Sequence, residues 1–305
     1  MKIVLLGEFK PSYRTENWIL KSLDAEVIPL DVNTKDEKII KFLEITRPDV
    51  LLHSKTNGVV GDFANVQAWC EENKIMTVCW LFDLYAGTPR AYEIWTNPMF
   101  RSDIVVTTDG GSEELFKKHK INHHVIRQGI LEEEAYMEEG EKKYDIIFIG
   151  SNNHWWIYRK KLINFLEGVY GARFTHIGHN RQVRGRELNK LLAETKIVVG
   201  DTVYSKNYWS NRIYEVLGRG GFLVHPRIEG LEKEFEYFKH FVPYDYKDFE
   251  QLKRIIDYYL KDDKKREEIR RAGHEFCKQN YTYRIRCNSL LKLINDQKRL
   301  LKKFN

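Results

Sequence analysis

The sequence predicts an α/β chain of two doubly wound, parallel-sheet domains facing a cleft, and three observations predict it. The chain has 305 residues, more than one hydrophobic core fills, because single cores stop growing near ~250–300 residues. Short apolar, β-rich runs alternate with amphipathic stretches, and the runs lack internal polar alternation, as strands covered by helices on both faces require. The alternation stops at a carboxylate-rich stretch, EEEAYMEEGEKK (132–143), and then restarts.

In the first half the strand runs are KIVLLG (2–7), AEVIPLD (25–31), DVLLHS (49–54), IMTVCWLFD (75–83), DIVVTTD (103–109) and HHVIRQGI (123–130), with helical stretches such as 35–46 and 62–73 between them. The carboxylate run reads as a linker and puts a boundary near residue 140. Strand runs resume with YDIIFIG (144–150), RFTHIGH (173–179), KIVVGD (196–201), GFLVHP (221–226) and HFVPYD (240–245), separated by helices near 157–167, 186–194 and 211–219. Apolar residues at helical spacing follow: Phe249, Leu252, Ile256 and Tyr259, then Ile269 and Phe276, then Leu290, Leu291 and Ile294. The expected organisation is a Rossmann-like domain over 1–140, a second over 141–285, and a terminal helix, 286–305, packing back toward the first. Ligands of such sheets bind outside the carboxyl ends of the strands.

Composition, at 42% hydrophobic and 31% charged, is that of a globular chain. No apolar run approaches the ~18–20 residues of a membrane span, and the N-terminus lacks a signal core, so a cytoplasmic protein is expected. Cys70, Cys79, Cys277 and Cys287 stand singly with no CxxC, which reads as buried thiols rather than a zinc or disulfide framework. The net charge of +6 conceals an asymmetry: residues 1–140 hold 16 Lys and Arg against 23 Asp and Glu, residues 141–305 hold 34 against 21. A basic second half suits an anionic ligand such as a nucleotide diphosphate. The acidic first half disfavours a nucleic acid.

The most informative stretch is WSNRIYEVLGRGGFLV (209–224). Ser210 or Asn211 is placed to cap a helix whose first turn carries Arg212, and unpaired amides with a guanidinium there suit phosphate. Glu215, about a turn inside, is an acceptor-only carboxylate suited to two ribose hydroxyls. The turn GSNNH (150–154) follows a strand run, so the amides of Gly150 and Ser151 can approach the same diphosphate, with Arg159 a turn or so beyond. Both arginines are expected on phosphate rather than in structural ion pairs.

These residues resemble the donor-binding region of GT-B glycosyltransferases, most closely the group-1 and spore-maturation-type (CgeB-like) enzymes, whose pattern reads R-x-x-E-x-x-x-x-G-[GA]-x-x-[LV]. The resemblance extends through DIIFIGS and Arg159 on one side and through EGLEKEF (229–235), DFEQLKRIIDYYL and REEIRRAGHEFC on the other, covering most of 144–291. In 1–140 it is one of architecture only. It implies a hexosyltransferase-like enzyme moving a sugar from a nucleotide-diphosphate donor, a UDP-sugar first, to an acceptor hydroxyl of a glycan, small molecule or macromolecule. Donor would bind the second domain and acceptor the first. Glu215 matches the second glutamate of the family's E-x7-E motif, while Asn207 stands where the first would fall. His179 and Asn180, in GHNR (178–181), fall where relatives read the base, and Tyr204, Tyr208 and Trp209 are candidates to stack on base or sugar.

A general base, or a group stabilising the departing sugar, is then expected from the first domain. His53 closes one strand run, Asp83 another, and Glu8 follows the first. A lone strand-end histidine is more often structural. No D-x-D occurs, so a metal-independent reaction without a resident cofactor is expected. Dinucleotide, P-loop and nucleophile-elbow motifs are also absent. The alternatives are a nucleotide-sugar epimerase of the same fold, a transferase acting on nucleic-acid bases, and a non-catalytic nucleotide-sugar or polyanion binding module.

Overall fold

A computed structural model describes residues 1–54, 63–152, 157–178 and 183–304. The first half runs β1 (Lys2–Gly7), α1 (Thr15–Ser22), β2 (Glu26–Asp31), α2 (Asp36–Thr46), β3 (Val50–His53), α3 (Ala64–Glu72), β4 (Met76–Leu81), α4 (Glu93–Thr96), β5 (Ile104–Thr107), α5 (Glu113–Lys118) and β6 (His123–Val125). The second runs β7 (Tyr144–Ile149), α6 (Ile157–Tyr170), β8 (Phe174–Ile177), α7 (Gly185–Ala193), β9 (Thr195–Val199), α8 (Arg212–Gly218), β10 (Leu223–Pro226), β11 (Val242–Tyr244), α9 (Phe249–Tyr259), α10 (Asp263–Asn280) and α11 (Tyr283–Phe304).

The strands form two wholly parallel sheets, ordered β2-β1-β3-β4-β5-β6 and β11-β10-β9-β7-β8. Every strand run read from the sequence is a strand here. In the second sheet Ile147, Val198 and Leu223 enter one core, while their neighbours Ile146, Phe148, Ile197, Val199 and Val224 enter another on the opposite face. This two-sided burial is why the runs carry no polar alternation. Pro29 and Pro243 fall on the edge strands β2 and β11, where a missing ladder donor is tolerated. All four cysteines are buried.

The chain divides into one compact unit of Met1–Gln128 with Tyr283–Asn305 and another of Gly129–Thr282. The divisions thus fall at 128/129 and 282/283, where the sequence reading has 140 and 285. The carboxylate run is no free linker: Ala135 within it and Ile130 just before it lie in the core of the second unit, and Glu132–Glu134 form a 3-10 turn on it. One apolar anchor among so many charges is easily passed over. Within the first unit α11 packs on α1, the Tyr283 ring lies 5.5 Å from Trp18 and 6.4 Å from Trp80, and Arg286 Nε donates to the Gln128 carbonyl at 3.1 Å. Among the described residues no helix is long and apolar enough to cross a membrane.

Candidate functional site

In the second sheet the chain leaves β7 toward β8 on one side and returns to β9 on the other. The carboxyl ends of β7 and β9 therefore flank a topological switch point, where the loops diverge and leave a crevice. Gly150 and Ser151 follow β7, and Asp201 follows β9. Into this place Arg159 comes from α6 and Arg212 from the first residue of α8.

Asp201, 2% exposed, accepts from Arg159 Nε at 2.6 Å and from Arg212 Nη1. Arg159 Nη1 also donates to the Ser151 carbonyl (2.7 Å), and Arg212 Nη2 to the Ile149 carbonyl (3.1 Å). Both guanidiniums lie over the Phe148 ring, at 5.6 and 5.1 Å. Burial pushes the Asp201 carboxyl up, but the two guanidiniums overcome it and hold it below its ordinary value. Two cations around one carboxylate leave one net positive charge. The arginines thus form the ion pairs that the sequence reading set against phosphate contact; Asp201, the residue that ties them, carried no motif and was marked only by closing KIVVGD. A Cβ on Gly150, whose φ is +153°, would stand 3.0 Å from Arg212 Nη2, so glycine is what allows the turn to touch the cluster.

Glu215 faces a different set. Its Oε2 accepts from Arg219 Nε at 3.0 Å and its Oε1 from Asn211 Nδ2 at 3.2 Å, and burial raises its pKa against the pull of Arg219. Neither Ser210 nor Asn211 caps α8. Asn211 has helical backbone angles (φ −55°, ψ −20°) rather than the extended ones of a cap, and its amide turns to Glu215 instead. Ser210 Oγ and Asn211 Oδ1 are left buried without a partner, polar atoms that a ligand would satisfy.

Asn207 sits in the left-handed region, φ 53°, with its side chain against Gly230, where a Cβ would fall 1.6 Å from Oδ1, and its N–H bonds the Glu229 carbonyl at 2.8 Å. Asparagine tolerates this backbone better than glutamate, a physical reason for its standing at that motif position. Trp209 does not present a stacking face: it is 1% exposed and donates to the Tyr214 hydroxyl at 2.8 Å. Tyr208 is half-buried, and Tyr204 is exposed beside Tyr246, 5.0 Å between rings. His179 and Asn180 lie outside the described residues.

In the first domain the corresponding switch point lies between β1 and β3. Glu8, just past β1, accepts from Arg14 Nη2 at 2.7 Å. His53 ends β3, is 1% exposed, and packs edge-on to Phe63 with ring centroids 5.0 Å apart. Next to it Ser54 Oγ donates to buried Glu16 at 3.1 Å, a carboxylate the sequence reading passed over. Asp83 follows β4, mostly exposed, and pairs with Arg90 at 2.9 Å, which also grips Glu93 and the Tyr85 hydroxyl. Among the described residues no group of three or more His, Cys, Asp or Glu is placed to hold a metal ion.

Two α/β domains with these strand orders define a class, the GT-B fold. Residues 144–292 match the family described as glycosyl transferase-like. No curated protein matches the chain. Among solved structures it is similar to HepE of Anabaena in complex with UDP-glucose (13% identity, 97% of this chain and 100% of that one, TM-score 0.70) and to a glycosyltransferase from Rickettsia africae (10%, 97% and 98%, 0.66). It is similar as well to sucrose-phosphate synthase from Thermosynechococcus elongatus (10%, 98% and 100%, 0.65). These likenesses run the length of both domains and show the fold.

Proposed function

We propose that the chain is a glycosyltransferase that moves a sugar, a hexose in our reading, from a nucleotide-diphosphate donor to an acceptor hydroxyl without a metal. The observation that carries this is the Arg159–Asp201–Arg212 cluster beside Gly150, at the switch point of the domain that matches the glycosyl transferase-like family. The net positive charge would hold the diphosphate and stabilise it as it leaves, since charge developing there is what the transition state needs neutralised. Asp201 fixes both guanidiniums beforehand, so no reorganisation is needed when the donor binds. Glu215 would accept from the ribose hydroxyls and Tyr204 or Tyr208 would stack on the base. UDP is the first nucleotide to try, because HepE is similar in fold and was solved with UDP-glucose.

The first domain would receive the acceptor, with His53, Asp83 or Glu8 supplying the base or the sugar-stabilising group. The spore-maturation-type branch of the family remains our assignment within the wider class. The test is thermal: UDP, or failing that GDP, raises the melting temperature with EDTA present, since a ligand that binds only the native state stabilises it by mass action. A melting curve unmoved by every nucleoside diphosphate removes the donor-site assignment.

A further inference from the structure

Arg219 is 1% exposed and enters none of the steps above. It begins where α8 ends, one turn past Glu215, and all its visible bonds are made inside the second domain. Nε donates to Glu215 Oε2, Nη2 to Glu134 Oε2, and Nη1 to Asn189 Oδ1 and to the Gly185 carbonyl. Asn189, itself fully buried, donates from Nδ2 to the carbonyls of Glu134 (3.0 Å) and Tyr136 (2.8 Å). The guanidinium is thereby fixed in a plane before any ligand arrives.

A buried arginine serving two carboxylates is an unusual expense for a fold, because desolvating three charges returns little net stability. What it does deliver is geometry. Arg219 takes one oxygen of Glu215 and Asn211 takes the other, while the Glu215 side chain stays 16% exposed. Each carboxylate oxygen accepts two hydrogen bonds, so one acceptor site on each remains, enough for two vicinal hydroxyls to donate to the pair.

We propose that Arg219 is a positioning residue: anchored by Glu134 and Asn189, it aims the Glu215 carboxylate at the two hydroxyls of the donor ribose. The inference rests on the assignment of Glu215 to the ribose given above. It makes recognition of a ribonucleotide, as against a nucleotide lacking both hydroxyls, depend on a residue that touches no ligand. Arg219 also favours the charged form of Glu215 against the burial that raises its pKa. The charged groups facing Glu215 are Arg219 and, from the 3-10 turn, Glu134, which opposes ionisation, while α7 presents the neutral Asn189.

The experiment measures affinity for UDP and for 2′,3′-dideoxyuridine diphosphate across pH 6 to 9, and reads their ratio. The intact protein is expected to favour UDP about tenfold or more. Glu215→Ala abolishes the ratio; if it does not, the ribose assignment fails and takes the proposal with it. With that assignment standing, Arg219→Met is expected to lower the ratio about fivefold or more, and most at the acid end of the range, because without the cation burial raises the Glu215 carboxyl further. Arg219→Lys keeps a charge between the carboxylates and so keeps the fold. Lacking the planar fork, it loses part of the ratio at every pH. Ratios equal to those of the intact protein in Arg219→Lys, with Glu215→Ala defective, overturn the proposal.

Discussion

The two domains share a strand order around their switch points and fill them with opposite chemistry. At the ends of β7 and β9 two arginines converge on one buried aspartate; at the ends of β1 and β3 stand Glu8, His53 and the Ser54–Glu16 pair. Topology sets where a crevice opens, and side chains alone set what it binds. A net positive cluster beside a glycine turn suits a diphosphate. The Glu8–Arg14 pair and the buried His53 and Glu16 carry no such excess of positive charge.

The largest effect that separates the two is on turnover. With the catalytic group in the first domain, either His53→Ala or Asp83→Asn lowers transfer by about 10²–10⁴-fold with donor affinity nearly unchanged. Steady-state kinetics alongside UDP binding check it. If both variants turn over normally, Glu8 is next, and if affinity falls with rate the division of labour between the domains is lost.

Next in size is Asp201→Asn. Removing the single carboxylate leaves two buried guanidiniums facing each other, which costs about 3–5 kcal/mol, whereas Glu8→Gln in the first domain breaks a partly exposed pair worth about 1 kcal/mol or less. Denaturant titration of both variants reads the contrast, and equal losses would mean that the arginine cluster is no more constrained than its acidic counterpart.

In one respect the domains are alike, and pH tests it. His225 in β10 and His123 in β6 are both held neutral by burial, with pKa values down to about 4. The unfolded chain binds a proton at each near pH 6.5 and the folded chain does not. Stability is therefore complete above that pH and falls as pH drops toward 4, by up to about 3 kcal/mol for each histidine. His225→Gln should flatten the acid slope for the second domain alone; an unchanged slope refutes the burial argument.

Smallest is the phosphate contrast. Arg212→Ala or Arg159→Ala is expected to weaken UDP binding about tenfold or more while leaving uridine little affected, since a hydrogen bond to a charged group contributes about 1.5–3 kcal/mol. Calorimetry with both ligands measures it, and equal losses would make the arginines structural pairs only.

Much of this was legible in the chain itself. Parallel strands buried on both faces leave continuous apolar runs, so all eleven could be read by eye, and Arg159, Gly150 and Arg212 could be grouped because strand ends and helix starts recur at regular spacing. Long-range pairing leaves no such trace. Asp201 binds Arg159 from 42 residues away and Arg219 binds Glu134 from 85 away, and no local motif tells either carboxylate its partner. Trp209 lies in the core, the commoner place for any one of the three candidate aromatics taken singly, and an indole that stacks on a ligand and one whose N–H finds a buried tyrosine look the same in sequence.

The return of α11 to the first domain has a consequence during synthesis. Tyr283, Leu290 and Ile294 are wholly buried, so residues 1–128 cannot complete their core until the chain beyond 282 has left the ribosome. At ~5–20 residues per second, the intervening stretch takes about 8–30 s to translate, during which the nascent first sheet waits without its last helix. The second domain, continuous from 129 to 282 and closed by the bridge between Ile130 and Thr282, is free to fold in that interval, so the domain that begins emerging later is the first able to finish.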